Sequence, residues 1–167
     1  MSRELLLLRH GKSDWRVEVD DFDRPLKKRG EKAALKVGEW IQLKHIIPDW
    51  IISSPAVRAM KTAEGVCKAF KFKSGKINYD ERIYQANLDE LKNVLADCPE
   101  HSRRVLLVGH NPDLETLLTY LVKKIEIPDD GKLMATATLA RLRMPEDWHD
   151  LKSDCAELLT IKRAKTM

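Results

Sequence analysis

Cysteine is scarce in this 167-residue chain, and the three present, Cys67, Cys98 and Cys155, are odd in number, widely spaced and outside any metal-ligand or redox motif. That usage points to a reducing compartment rather than a disulfide scaffold. Long hydrophobic runs are missing too. The longest, Leu5-Leu6-Leu7-Leu8 and Val105-Leu106-Leu107-Val108, stop at four residues, too short to cross a bilayer, and the amino terminus lacks the apolar stretch and small-residue cleavage site of a signal peptide. Cytoplasmic residence without a membrane partner is the expectation. No internal repeat, low-complexity tract or linker breaks the chain, and its length suits one well-buried core, so one domain over 1–167 is expected. A dense basic stripe is absent as well. The net charge of +4 suits an anionic ligand, but the cations are dispersed among acids, which argues against a nucleic-acid partner. With 43% apolar and 34% charged residues, the composition is that of a globular protein.

What is present is organised around two matching strand ends. Four leucines with no helical period read as a central strand buried on both faces, and they end abruptly in Arg9-His10-Gly11. The run Val105–Val108 ends likewise in Gly109-His110-Asn111-Pro112. In open α/β sheets the carboxyl ends of strands face the ligand crevice, so two histidines arriving there beside glycines mark a candidate site. Gly11, lacking a Cβ, would let a bound group approach the backbone. Between the two runs, a charged loop over 12–24 leads to a helix entered at Pro25 and ending near His45, with Ala33, Ala34, Val37, Trp40 and Ile41 on its buried face and Gly30 and Gly38 weakening it slightly. Asp49 to Ile52 reads as a strand. Ser53-Ser54-Pro55 then starts a helix with Arg58 in its first turn, where a cation is unfavourable unless an anion lies in front of it. A third strand over Lys76–Tyr79, a helix capped by Asn87, a helix from Pro112, and two strands over Ala135–Leu142 and Cys155–Ile161 follow, with a frayed tail from Lys162. The alternation implies a mixed, mostly parallel sheet with helices on both faces, a three-layer α/β/α sandwich.

Arg9-His10-Gly11, Ser53-Ser54-Pro55 with Arg58, and Gly109-His110-Asn111-Pro112 together resemble the histidine phosphatase superfamily, also called phosphoglycerate mutase-like. The spellings Arg9-His10-Gly11-Lys12-Ser13-Asp14-Trp15 and Asp23-Arg24-Pro25-Leu26 look most like its short branch, which contains the phosphohistidine phosphatase SixA. The matches run in order from about residue 5 to residue 112. The resemblance implies that His10 is a nucleophile forming a covalent phosphohistidine, that Arg9 and Arg58 clamp the phosphoryl oxygens, and that His110, cationic once the anion is bound, donates a further hydrogen bond. It also makes Glu81 the candidate proton donor, although the SixA branch need not use one, and Glu81 could equally pair with Arg82 or a lysine.

Phosphoryl transfer needs an in-line nucleophile, cations on the transferring oxygens and a proton for the leaving group, and these residue types supply each without a metal or other cofactor. Ser13 could bond a phosphate oxygen or its own backbone, and Asn111 could add a donor or cap the following helix. Lys12, Arg16, Arg24 and Lys27 read as a positive rim or as solvated surface cations. His101 and His149 have no partners at ligand spacing, so no metal site is expected, and His45 reads as a polar residue in a helix's last turn. The expected activity is a metal-independent phosphatase acting on a phosphorylated small molecule or a phosphohistidine-bearing protein. A phosphomutase is the alternative, though no insertion for a water-excluding lid is visible, and so is a non-catalytic phospho-ligand binding module.

Overall fold

The four leucines of the first strand assign the layers. In a computed structural model of the chain, which describes residues 3–72 and 74–167, β1 (Arg3–Arg9) has Leu5, Leu6, Leu7 and Leu8 fully buried. Successive side chains of a strand point to opposite faces. Leu5 and Leu7 therefore join one apolar cluster with residues of α3 (Leu88–Ala96) and α4 (Asp113–Leu121), while Leu6 and Leu8 join another with α1 (Lys28–Leu43) and α2 (Val57–Ala69). At roughly 1.5–3 kcal/mol for each leucine taken out of water, this run anchors both interfaces.

The remaining strands are β2 (Trp50–Ser53), β3 (Asn78–Tyr79), β4 (Arg104–Gly109), β5 (Thr138–Met144) and β6 (Glu157–Arg163), and the six-stranded sheet has the order β3-β2-β4-β1-β5-β6. The pairings of β2 with β3 and β4, and of β1 with β4, are parallel. Those of β5 with β1 and β6 are antiparallel. The fold is thus the expected α/β sandwich with a mostly parallel sheet. Because β4 inserts between β1 and β2, the two strands that end in histidine are neighbours.

Several local expectations are corrected. The first helix begins at Lys28, not Pro25, because Leu26 is held in an isolated bridge to Ser13. His45 stands beyond its end in the left-handed region (φ 57°). Gly30 and Gly38 are contact points rather than weak spots: a Cβ on Gly38 would lie 2.3 Å from the Val66 carbonyl oxygen of α2. β5 starts at Thr138, since residues 135–137 turn and Ala137 donates its N–H to the carbonyls of both Arg9 and His10. The tail does not fray: β6 runs to Arg163, which pairs with Asp130 at 2.6 Å, and Ala164 is buried. No helix among the described residues is long and apolar enough to cross a membrane.

Candidate active site

Register places the two histidines side by side. Arg9 of β1 lies opposite Gly109 of β4, and the His10 amide donates to the Gly109 carbonyl at 3.1 Å. Each chain then leaves the sheet through a histidine, and the two rings come to 5.2 Å between centroids. Both are buried, and both line a cavity of about 720 Å³ at the carboxyl edge of the sheet. Gly11 serves the neighbouring helix rather than a ligand: a Cβ there would meet the Gly30 carbonyl oxygen at 2.8 Å. Its amide donates to Thr62 Oγ1 (3.1 Å), whose hydroxyl donates to the Arg58 carbonyl (2.7 Å), so the turn after β1 is fastened to the first turn of α2.

His10 Nδ1 lies 2.7 Å from the Gly11 carbonyl oxygen. A carbonyl only accepts, so Nδ1 carries the hydrogen and Nε2 keeps its lone pair. Burial first, then the charges of His110, Arg58 and Arg9, push the imidazole down to about 3, and a favourable bond to Gly11 offsets only part of this. His110 is held to about 4, again by burial and then by Arg58. In the free protein at neutral pH both rings are neutral. The cationic His110 anticipated for the anion-bound state is therefore not its resting form.

Arg9 and Arg58 both reach the cavity, and each has a buried Nε without a hydrogen-bond partner. The remaining contacts of Arg58 are taken up by a residue the sequence reading missed. Asp21 receives Arg58 Nη1 on its backbone carbonyl (2.6 Å) and Arg58 Nη2 on its carboxylate (3.0 Å). That carboxylate also accepts from Arg24 (2.6 Å) and from the Tyr84 hydroxyl (2.6 Å). These donors hold the Asp21 carboxyl well below the usual carboxylate range, the Tyr84 bond contributing most. Arg24 is no solvated rim cation: it is buried, donates to Ser13 Oγ at 3.0 Å and lies 3.7 Å under the ring of Trp15. Ser13 thus lines the cavity with its hydroxyl oxygen already accepting from Arg24. Lys12 and Lys27 stand exposed at the cavity edge, whereas Arg16 folds back on Asp14.

Not every expected residue converges. Glu81 is exposed and lies outside the cavity lining, on the short turn after β3. Asn111 lines the cavity, but its side-chain amide donates to Glu115 (3.1 Å) and to the Met134 carbonyl (2.7 Å), so the side chain neither caps α4 nor has an N–H left for a ligand. Gln85 and Asp113 do line the wall. Asp113 Oδ2 accepts from the Ala86 amide at 3.1 Å, and burial pushes its carboxyl up. His101 and His149 are exposed and away from the cavity.

Comparison with known proteins bears on this arrangement. The profile of the histidine phosphatase superfamily (branch 1) matches residues 5–94. The chain belongs to that superfamily. Among solved structures, the chain is similar to a candidate phosphohistidine phosphatase SixA from Nakamurella multipartitia (26% identity, TM-score 0.83, covering 98% of this chain and 96% of that one). It is also similar to one from Agrobacterium tumefaciens (26% identity, TM-score 0.78, covering 97% and 98%). An uncharacterised chloroplastic protein of Arabidopsis thaliana is 30% identical over 121 residues, 71% of this chain, and the chain spans about half (53%) of that protein's length. Family and structural neighbours together support phosphatase or mutase activity and a SixA-like member.

Proposed function

We propose that the chain is a metal-independent phosphatase that hydrolyses phosphomonoesters or protein phosphohistidine through a phosphohistidine on His10. The observation that carries this reading is the His10 tautomer: with Nδ1–H committed to the Gly11 carbonyl, the Nε2 lone pair is available in a cavity that Arg9, Arg58 and His110 share. In the first step Nε2 forms a bond to phosphorus, and the bond from phosphorus to the leaving group breaks with its electron pair going to that group. In the second step water attacks phosphorus, the P–N bond breaks, the pair returns to Nε2 and inorganic phosphate departs. Free donors of Arg9 and Arg58 offset charge on the transferring oxygens, each worth roughly 10²–10³ in rate. With Glu81 outside the cavity lining, we assign protonation of an alkoxide leaving group to Asp113, the wall carboxyl whose pKa burial shifts in the direction a general acid needs.

An open mouth favours hydrolysis over mutase chemistry. Lys12, Trp15, Lys27 and Gln85 border the cavity and are exposed, so water reaches a phosphoenzyme that a mutase must shield. The names of the structural neighbours favour protein phosphohistidine as one substrate, in which imidazole leaves more readily than an alkoxide. The test is His10→Ala: turnover of p-nitrophenyl phosphate and the acid-labile, base-stable phosphoenzyme should both vanish while the thermal midpoint stays near the parent's. Turnover that survives the substitution removes His10 from the nucleophile's role. Activity of the parent should persist in a chelator.

A further inference from the structure

The serine pair of Ser53-Ser54-Pro55 has a role that helix capping does not exhaust. The N-cap of α2 is Ala56, with no side-chain cap, and Ser54 is fully buried beneath the cavity floor. Its Oγ accepts the Ala56 amide at 3.2 Å and lies 2.7 Å from His110 Nε2. Across the same ring, His110 Nδ1 is buried with no partner, although the ring lines the cavity. Ser53 contributes nothing to this pairing, since its hydroxyl is spent on the Ser54 carbonyl at 2.9 Å.

The proton on His110 follows from counting donors and acceptors. A serine hydroxyl has one hydrogen to give and two lone pairs to receive with. With the Ala56 amide on one lone pair, the hydroxyl hydrogen has one acceptor in reach among the described residues, His110 Nε2. Were Nε2 itself protonated, it would donate to Oγ and leave the hydroxyl hydrogen orphaned in a dry position, at a cost of about 1–3 kcal/mol. With the hydroxyl donating to Nε2, every group at this contact is satisfied, and the ring's hydrogen sits on Nδ1, the atom still without a partner.

We infer that Ser54 is a positioning residue that fixes His110 as the neutral Nδ1–H tautomer, so that an uncharged imidazole presents a hydrogen-bond donor to a phosphoryl oxygen in the cavity. The inference deepens the proposed function and rests on its reading of His110 as a phosphoryl ligand. His10 and His110 then share one tautomer for opposite ends: His10 hides its Nδ1–H against Gly11 and offers a lone pair, whereas His110 hides its lone pair against Ser54 and offers an N–H. Two buried rings 5.2 Å apart between Arg9 and Arg58 can be nucleophile and donor without either carrying charge.

Long-range proton–nitrogen NMR on protein labelled with ¹⁵N-histidine, at neutral pH, tests this directly, with His110 assigned by the signal lost in His110→Asn. The expected spectrum has a protonated Nδ1 and a bare Nε2 on His110, and addition of inorganic phosphate should shift the Nδ1–H resonance. Ser54→Ala should move His110 toward the Nε2–H form, weaken inhibition by inorganic phosphate about 10-fold and lower kcat roughly 10–100-fold, less than outright removal of a donor costs. Ser54→Thr, which keeps the hydroxyl, should retain the parent tautomer. A parental His110 protonated on Nε2, or an unchanged tautomer in Ser54→Ala, overturns the inference. Should Ser54→Ala not fold, the parental spectrum and Ser54→Thr decide. The Nδ1–H form with its phosphate response, in a chain that turns over no phosphate compound, would sink the phosphatase reading and leave this inference standing.

Discussion

A carboxyl group beside a phosphoryl site repels its ligand less when it is paired with cations or when burial favours its protonated form, and the two carboxyls lining this cavity differ in just this way. Asp21 is paired by two arginines and a tyrosine, whereas Asp113 has only backbone amides on it, those of Ala86 and of Asp113 itself, and a pKa raised by burial. Asp113→Asn keeps a hydrogen-bond acceptor for Ala86 but has no proton to give. Its turnover of alkyl phosphates should fall about 100-fold or more, while that of p-nitrophenyl phosphate, whose leaving group needs little protonation, should change less than about 10-fold. Equal losses on both substrates in steady-state assays would mean that Asp113 acts only through the loop it holds. The cavity-lining residues legible in the sequence stand mostly at strand ends: His10, Arg9 and His110 follow two short apolar runs, whereas Arg58, in a helix's first turn, was singled out by the family resemblance. Asp21, Tyr84 and Ser54 were not legible. Their bonds span 37, 63 and 56 residues, and nothing local distinguishes an aspartate that bridges two arginines from one solvated in a charged loop. Glu81 illustrates the converse, an acid well placed in the sequence that the turn after β3 directs away from the cavity.

Helix positions came out of the apolar periodicity, but the reason two helices can lie together did not. α1 and α2 pack on the face of the sheet that receives Leu6 and Leu8, and at Gly38 the backbone of Val66 fills the space a side chain would need. Propensity alone favours alanine over glycine in a helix by about 1 kcal/mol. Contact reverses the sign here, because a methyl 2.3 Å from a carbonyl oxygen forces the helices apart. Gly38→Ala should destabilise the protein by about 1–3 kcal/mol, read as a lower urea midpoint at unchanged slope. An unchanged or higher midpoint would show that the helix pair gives way freely. The start of β5 was misread for a related reason: Ala137 adopts positive φ, which its side chain does not advertise.

Across the whole molecule, the two neutral histidines couple the site to stability. Each has a folded pKa near 3 or 4 against about 6.5 when exposed, so below pH 6.5 the unfolded chain takes up protons that the folded chain refuses. Stability is full above that pH and is lost as the pH falls toward 4, ahead of most carboxylates. Denaturant unfolding should give a value about 1–3 kcal/mol lower at pH 5.5 than at pH 7.5, the slope being bounded by roughly 1.4 kcal/mol per pH unit for each histidine. Replacing His110 by asparagine should remove part of the difference. A flat profile over that window would mean that the rings protonate in place without strain.

Asp21 gives Arg58 and Arg24 a counterion of their own. An anion that claims the terminal nitrogens of Arg58 does not enter bare positive charge; it exchanges with a carboxylate tethered a few ångströms away, and gains only the difference between itself and the group it evicts. Singly charged carboxylates have little to offer in such an exchange, whereas a phosphoryl dianion brings a second charge and more oxygens to the unpaired nitrogens of Arg9 and Arg58. Under the proposed function, the Asp21 carboxylate would in this way tilt binding toward phosphate over acetate-like ions.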